Sequence, residues 1–444
     1  MNELIDTFRF PRRQFLAGAA AAALSGRATT AWADETPRQR LKVAAVFTEF
    51  TYRSHAHVIL ENFLEPYLFN GRRTEPGMDV ISFYGDQFPD GEMSRAVAKK
   101  YGIAIYPTIA EALCLGGQQL AVDAVLSIGE HGNYPVNAKG QTEYPRKRFF
   151  DEIVAVFERG GQVAPVFNDK HLSFRWDWAR QMYDAAQRLR IPLMAGSSVP
   201  LAQRRPPLEL PEGAKIAEAV SIHGGPPEGY GFHALEVLQS FVEARAGGET
   251  GVSRVEYFEG DSLWQAASES KWWPPLADAA MAAELGAGQP PIAELAKKLG
   301  VDKQSHGIVV HYRDGLRGLA LGIPGGANRW NFACRMQDAP QIQATQLYTG
   351  PWNNRNLFKA LSHAIQTHFR QRRAPYPVER TLLVTGALDA AMDSRLAGGT
   401  PVDTPQLQFA YEPRNYRAMR EMGKSWQIIR EETPEPQGIE PVGV

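Results

Sequence analysis

The sequence predicts an α/β domain built on a parallel sheet, followed by an α+β domain built on an open, mostly antiparallel sheet. Three observations lead there. Between residues 41 and 198, short apolar runs alternate with amphipathic stretches of helical length, the pattern of a parallel sheet covered on both faces. Residues 162–198 form one complete βαβ unit within that stretch: an apolar run, a polar turn, an amphipathic helix and a second run. After Pro206-Pro207 the texture changes, and alternating strand-like runs outnumber helices. The resulting domains span 41–200 and 207–410.

Taken in order, 41–47 is a strand and 57–64 a helix, joined by a loop at 48–56. A strand at 80–84 leads into Gly85-Asp86. The helix carrying Met93, Val97 and Tyr101 ends at Gly102, a C-cap glycine. A strand at 103–106 and a helix at 109–115 precede the buried strand 122–128, which opens into Gly129-Glu130-His131-Gly132-Asn133-Tyr134. Phe149, Ile153 and Phe157 share a helix face that stops at Gly160-Gly161. The strand 163–167 then runs into Asn168-Asp169-Lys170-His171. Ser173 is a candidate cap for a helix whose apolar face is Trp178, Met182, Ala185 and Leu189, and 191–195 closes the unit. In the second domain, strands are expected at 216–223, 252–258, 308–312, 319–323 and 342–347. Helices are expected at 234–245, 276–285, 292–299, 357–371 and 378–396. The Pro- and Glu-rich tail, 431–444, is expected to be disordered.

Composition narrows the partners. With 48 basic and 49 acidic residues, neither nucleic acid nor an anionic membrane surface is expected. Arg12-Arg13-Gln14-Phe15-Leu16, an apolar run at 17–24 and Ala31-Trp32-Ala33 form a twin-arginine export signal over 1–33, which places the mature chain in the periplasm. No later stretch is apolar enough to span a membrane. The two cysteines, Cys114 and Cys334, fall in different domains, and a bridge is not expected.

Candidate chemistry gathers on loops leaving the carboxyl edge of the parallel sheet, where such sheets bind ligands. Lys170, flanked by Asp169 and His171, heads the set; its alternative is a lysine neutralising Asp169 at a helix entry. His55, His57, His131 and His171, with carboxylates beside them, suit a divalent metal such as Zn²⁺, or equally hydrogen bonds and substrate contacts. Asp86 follows the second strand, where an acidic residue bonds an adenosine ribose; it also reads as a turn residue. Trp264, Trp272, Trp273, Trp330 and Trp352 are core residues or a platform for sugar rings.

Four stretches resemble the Gfo/Idh/MocA family, named for glucose–fructose oxidoreductase and inositol dehydrogenase. They are AVAKKYGIAIYPTIAEAL at 96–113, Val122-Asp123-Ala124-Val125, Asn168-Asp169-Lys170-His171-Leu172-Ser173 in the place of Glu-Lys-Pro-Leu, and Gly231-Phe232-His233 in the place of Asp-x-Gly-x-His. The resemblance implies a Rossmann-like domain that binds NAD(P), with Glu49, Asp86, Glu130 and His131 on the cofactor side. It also implies Lys170, His233 and Asp169 as catalytic residues, a sugar- or polyol-like small-molecule substrate, and association into homo-oligomers through the open sheet. Three departures accompany it. The first βα turn, 48–57, contains no glycine; His171 replaces the family's proline; and Gly229 stands where the family has aspartate, with Glu228 beside it. Two enzymatic readings follow: an exported sugar or polyol oxidoreductase carrying NAD(P), or a non-redox lyase, epimerase or glycosidase using metal or acid/base groups. A binding protein that kept the fold is the third.

Overall fold

The computed structural model describes residues 40–326 and 328–441, so the expected export signal at 1–33 lies outside the described residues. Six parallel strands form the first sheet, in the order Ala104–Ile105, Met78–Gly85, Leu41–Phe47, Ala124–Ile128, Val166–Asp169, Leu193–Gly196. This is the doubly wound order, and the chain reverses direction of travel between Leu41–Phe47 and Ala124–Ile128. Val43, Ala44, Ala45 and Val46 are all fully buried, as a strand covered on both faces requires. A small hairpin, Tyr67–Phe69 with Arg72–Thr74, lies outside the sheet.

The second sheet has eight strands. Their order is Val402–Asp403, Val252–Glu259, His306–Tyr312, Arg317–Gly322, Ile216–His223, Trp330–Met336, Ala339–Tyr348, Gln203–Arg205. Every pairing is antiparallel except Ile216–His223 with Arg317–Gly322. Period-2 alternation divides the side chains of Ile216–His223. Ala219 packs toward helix Gly229–Val242, and Ser221 Oγ donates to Ala234 O at 2.8 Å, while Val220 and Ile222 join the opposite layer with Trp273, Leu276 and Met281. In helix Gly229–Val242, Phe232, Leu235, Leu238 and Phe241 are each at most 5 % exposed. Each such burial stabilises by about 1.5–3 kcal/mol before entropy is counted.

Helix Val378–Leu396 lies between the two layers, packing on Leu193–Gly196 and Trp176–Leu189 on one side and on Gly229–Val242 and Val252–Glu259 on the other. Thr381 Oγ1 reaches both sides, at 3.2 Å from Ala195 O and 2.7 Å from Glu236 Oε1.

Several local expectations change. Strand Trp330–Met336 and helix Asp261–Ser270 are additional elements. Helix Trp176–Leu189 starts at the extended Arg175 with no side-chain cap, and Ser173 Oγ instead accepts from Arg175 N–H at 3.3 Å. Its buried stripe is Ala179, Met182 and Ala186, shifted by one residue from the expected face, which leaves Trp178 half-buried. The tail through residue 441 makes packing contacts. Glu435 and Glu440 ion-pair with Arg355, Ile439 is 1 % exposed, and these contacts supply the burial that its composition alone does not suggest.

Candidate active site

The turn after Val166–Asp169 places Lys170 in the left-handed region, φ 62°, with its carbonyl accepting from Gly196 N–H at 3.1 Å. His131, φ 73°, and Arg53, φ 60°, share that strained backbone class on neighbouring strand-end loops. Non-glycine residues there cost on the order of 1 kcal/mol or more and cluster where geometry serves a site.

Lys170 is 6 % exposed, and its Nζ donates to Glu130 Oε1 at 2.6 Å. Arg146, wholly buried at the start of helix Arg146–Gly160, bonds the other oxygen of Glu130. Gly129 makes this possible, because a Cβ there would stand 2.7 Å from Arg146 Cγ. Burial raises the pKa of Glu130, but the charges of Lys170 and Arg146 outweigh it and hold the carboxyl well below its ordinary range. Burying an ion costs several kcal/mol, whereas a unit pair at about 4 Å contributes about 4 kcal/mol at an effective dielectric near 20.

Imidazoles surround this pair. His55 Nδ1 lies 2.6 Å from Asp169 Oδ2, and the His55 and His131 rings are 5.1 Å apart. His131 is lowered to about 4 by burial and by the charges of His55 and Lys170. His171 Nε2 accepts from Arg146 Nη1 at 2.9 Å, which assigns the ring proton to Nδ1. From the second sheet's side, His233 Nδ1 sits 2.6 Å from Ser197 Oγ, which also accepts from Val199 N–H at 3.0 Å. Burial, then the Lys170 charge, depresses His233 well below the usual imidazole range. Trp330 meets the His233 ring edge-on at 5.4 Å and stacks on Tyr230 at 5.1 Å. Glu228, at the entry to helix Gly229–Val242, has a buried Oε1 with no hydrogen-bond partner, 3.6 Å from His171 Nε2. Burial and the nearby Glu130 charge raise Glu228 to about 7.

Lys170, Asp169, His55, Glu130, His131, His171 and His233 thus share one buried neighbourhood with Glu228. The four histidines of the metal expectation do not converge. His57 turns away, its Nδ1 accepting from Arg53 N–H and its Nε2 lying 3.4 Å from Glu440, while His171 is held behind Arg146. Among the described residues, no three His, Cys, Asp or Glu side chains are arranged to hold a metal ion.

The residues expected on the cofactor side are engaged by other protein groups. Asp86 already accepts from Tyr84 at 2.7 Å, Tyr134 at 2.6 Å and Arg148 at 2.5 Å. Gln87 and Asn133 exchange bonds of 3.0 and 2.9 Å. The strands bearing these loops flank Leu41–Phe47, so the bridge crosses the point where pyrophosphate enters such a sheet. Beneath it, Phe50 is fully buried among Phe47 and Phe83. The first turn of helix His55–Leu64 is met by protein: Ser54 Oγ accepts from His57 N–H at 3.4 Å, and His131 Nδ1 lies 3.4 Å from His55 N. Glu49 accepts from Thr51, and Glu130 is committed to Lys170 and Arg146. Arg53, the cation nearest this turn, is paired with Glu435.

Arg146 and Ser197 were not singled out in the sequence. A strand-end Gly-Glu followed by Tyr-Pro-Arg at a helix start is the only signal Arg146 left, and Ser197 shows only as a polar residue after an apolar run.

The strand order of both sheets is that of the two-domain fold seen in solved Gfo/Idh/MocA-type dehydrogenases. GenD2 from gentamicin A biosynthesis, solved in complex with NAD, is 14% identical over 82% of this chain and 96% of its own, with a TM-score of 0.52. A probable dehydrogenase from Thermotoga maritima is 12% identical, covering 83% and 100%, at 0.51. The myo-inositol 2-dehydrogenase from Lactobacillus plantarum is 10% identical, covering 82% and 99%, at 0.50. At such identities the likeness concerns the fold. Compared by sequence, the chain matches no protein-family model and no curated protein.

Proposed function

We propose that this chain is an enzyme that moves protons on a small, sugar- or polyol-like substrate without hydride transfer, as an epimerase, lyase or glycosidase does. The observation that carries this reading is the Lys170–Glu130–Arg146 cluster facing a neutral His233 and an unpartnered Glu228, beside a first turn that carries no glycine and whose N–H groups meet Ser54 and His131. Lys170 spends one N–H on Glu130, and its remaining donors suit an oxyanion forming on substrate. His233, neutral and held through Nδ1 by Ser197, leaves Nε2 to take or return a proton. Glu228, titrating near 7, is the second proton carrier. Asp169 orients His55 beside this cluster. The substrate class comes from the fold's likeness to an inositol dehydrogenase.

A second reading, an NAD(P)-dependent sugar or polyol oxidoreductase, is favoured by the fold and by a lysine at the turn after the fifth strand of the sheet. One experiment separates the two. Protein purified natively from the periplasm is assayed for bound nucleotide, then incubated in D₂O with a panel of polyols, aldoses and sugar acids and followed by NMR. Expected are no stoichiometric NAD(P) and deuterium uptake or bond cleavage on one panel member, reduced about 10²–10⁴-fold in Lys170→Ala and His233→Asn. Bound nucleotide at one per chain, with substrate oxidation, would overturn the proton-transfer reading in favour of the second. The same preparation tests export, since N-terminal sequencing is expected to begin at Asp34.

A further inference from the structure

A cavity of about 260 Å³ lies at the far end of helix Gly229–Val242 from His233, about 14 Å along the axis at 1.5 Å per residue. Five arginines line it: Arg204, Arg245, Arg414, Arg417 and Arg420. Arg245 is neutralised by Glu249 at 2.9 Å and Asp314 at 2.6 Å, and the lining Glu243 is engaged by Arg380 and Tyr411. That leaves Arg204, Arg414, Arg417 and Arg420 against Glu209 and Glu212.

Two of these guanidinium groups are set deep. Arg204 is 9 % exposed and Arg420 2 %, and each has an Nε with no partner. Arg204 lies 3.9 Å over the Phe241 ring, with Nη1 on Leu208 O at 2.7 Å, and its contact with Glu209 is long, 3.4 Å. Burial, insufficiently answered by Tyr416 and Glu209, lowers Arg204 to about 10. A buried guanidinium is expensive unless a counter-charge accompanies it. The carboxylate on hand, Glu209, is 39% exposed and shared among Arg204, Arg417 and Arg420. The helix's carbonyl end would repel an anion, but Val242 O and Ala244 O already accept from Arg245 and Gly213.

The geometry points to a binding site for a small phosphate-type oxyanion, seated on Arg204, Arg417 and Arg420 in place of Glu209. Arginine forks match tetrahedral oxyanions, and the cavity holds a phosphate with a small organic group attached. The site stands apart from the chemistry at Lys170.

Isothermal titration of the full mature chain with inorganic phosphate, and separately with glucose 6-phosphate, at chloride-matched ionic strength tests this. Saturable one-site binding is expected. Arg417→Ala, at a side chain 60% exposed, weakens it about tenfold, and Glu209→Gln tightens it by removing the competing carboxylate. Tighter binding of the ester assigns the site to a phosphorylated small molecule, and tighter binding of phosphate to the free ion. Lys170→Ala leaves affinity unchanged. The proposal is overturned if neither probe saturates, if Arg417→Ala binds as the wild type does, or if Glu209→Gln weakens binding as a purely structural carboxylate would.

Discussion

Glu228 carries the residue-scale prediction. Its carboxyl titrates near 7 when folded, against an ordinary value of 4.5. Between those two values the folded chain binds more protons than the unfolded one, so stability falls as pH rises through the window. Glu243, raised to about 7 by burial in the second layer, works in the same direction and sets a background. The difference between wild type and Glu228→Gln isolates the first group. The variant is expected to equal wild type near pH 4 and to exceed it at pH 8 by about 1–3 kcal/mol in urea unfolding, at roughly 1.4 kcal/mol per pK unit. The rate inflection near pH 7 should vanish with it. A variant no more stable than wild type at pH 8 would show that Glu228 is paired in solution.

At the scale of elements, helix His55–Leu64 shows why neighbouring histidines part company. Two residues along an α-helix is about 200° of rotation, so His55 faces Asp169 while His57 faces the tail. There Arg355, 3% exposed, is bonded by Glu61 at 2.6 Å, Glu435 at 2.9 Å and Glu440 at 3.0 Å. Arg355→Met leaves the carboxylates of Glu61 and Glu440 buried without their cation and is expected to cost about 3–5 kcal/mol. Urea unfolding reads the cost, and faster proteolysis within 431–441 reads release of the tail. A loss below about 1 kcal/mol would mean that the tail is held by apolar contacts such as Ile439 instead.

For the molecule as a whole, helix Val378–Leu396 decides whether the two sheets behave as separate bodies. Arg380 within it is 1 % exposed and lies 3.6 Å from Glu236 and 3.3 Å from Glu243, while Thr381 holds Ala195 O across the boundary. One helix buried by both layers couples their unfolding. Calorimetry of the mature chain is expected to give a single transition whose calorimetric and van't Hoff enthalpies agree. Two resolved transitions would mean that the layers fold independently and that this helix belongs to one of them.

Strand and helix patterns over 41–198 were legible in the sequence because burial on two faces leaves continuous apolar runs and burial on one leaves a 3.6-residue stripe. Lys170 was legible for a related reason: a charged residue directly after a buried strand has only the carboxyl edge to occupy. Arg146 was hidden, because a basic residue in a helix's first turn looks like any solvated one until Gly129 lets it approach Glu130. Trp330–Met336 alternates apolar Trp330, Phe332, Cys334 and Met336 with Asn331 and Arg335 as a strand does, and its pairing with Ile216–His223 fixes its place in the sheet. By itself the sequence determined the order of elements and the edge on which chemistry gathers, since both follow from local periodicity. Only the tertiary structure decided which imidazoles meet, that the tail is packed, and that Gln87 and Asn133 bridge beside the first turn, since each depends on partners more than 40 residues away in the chain.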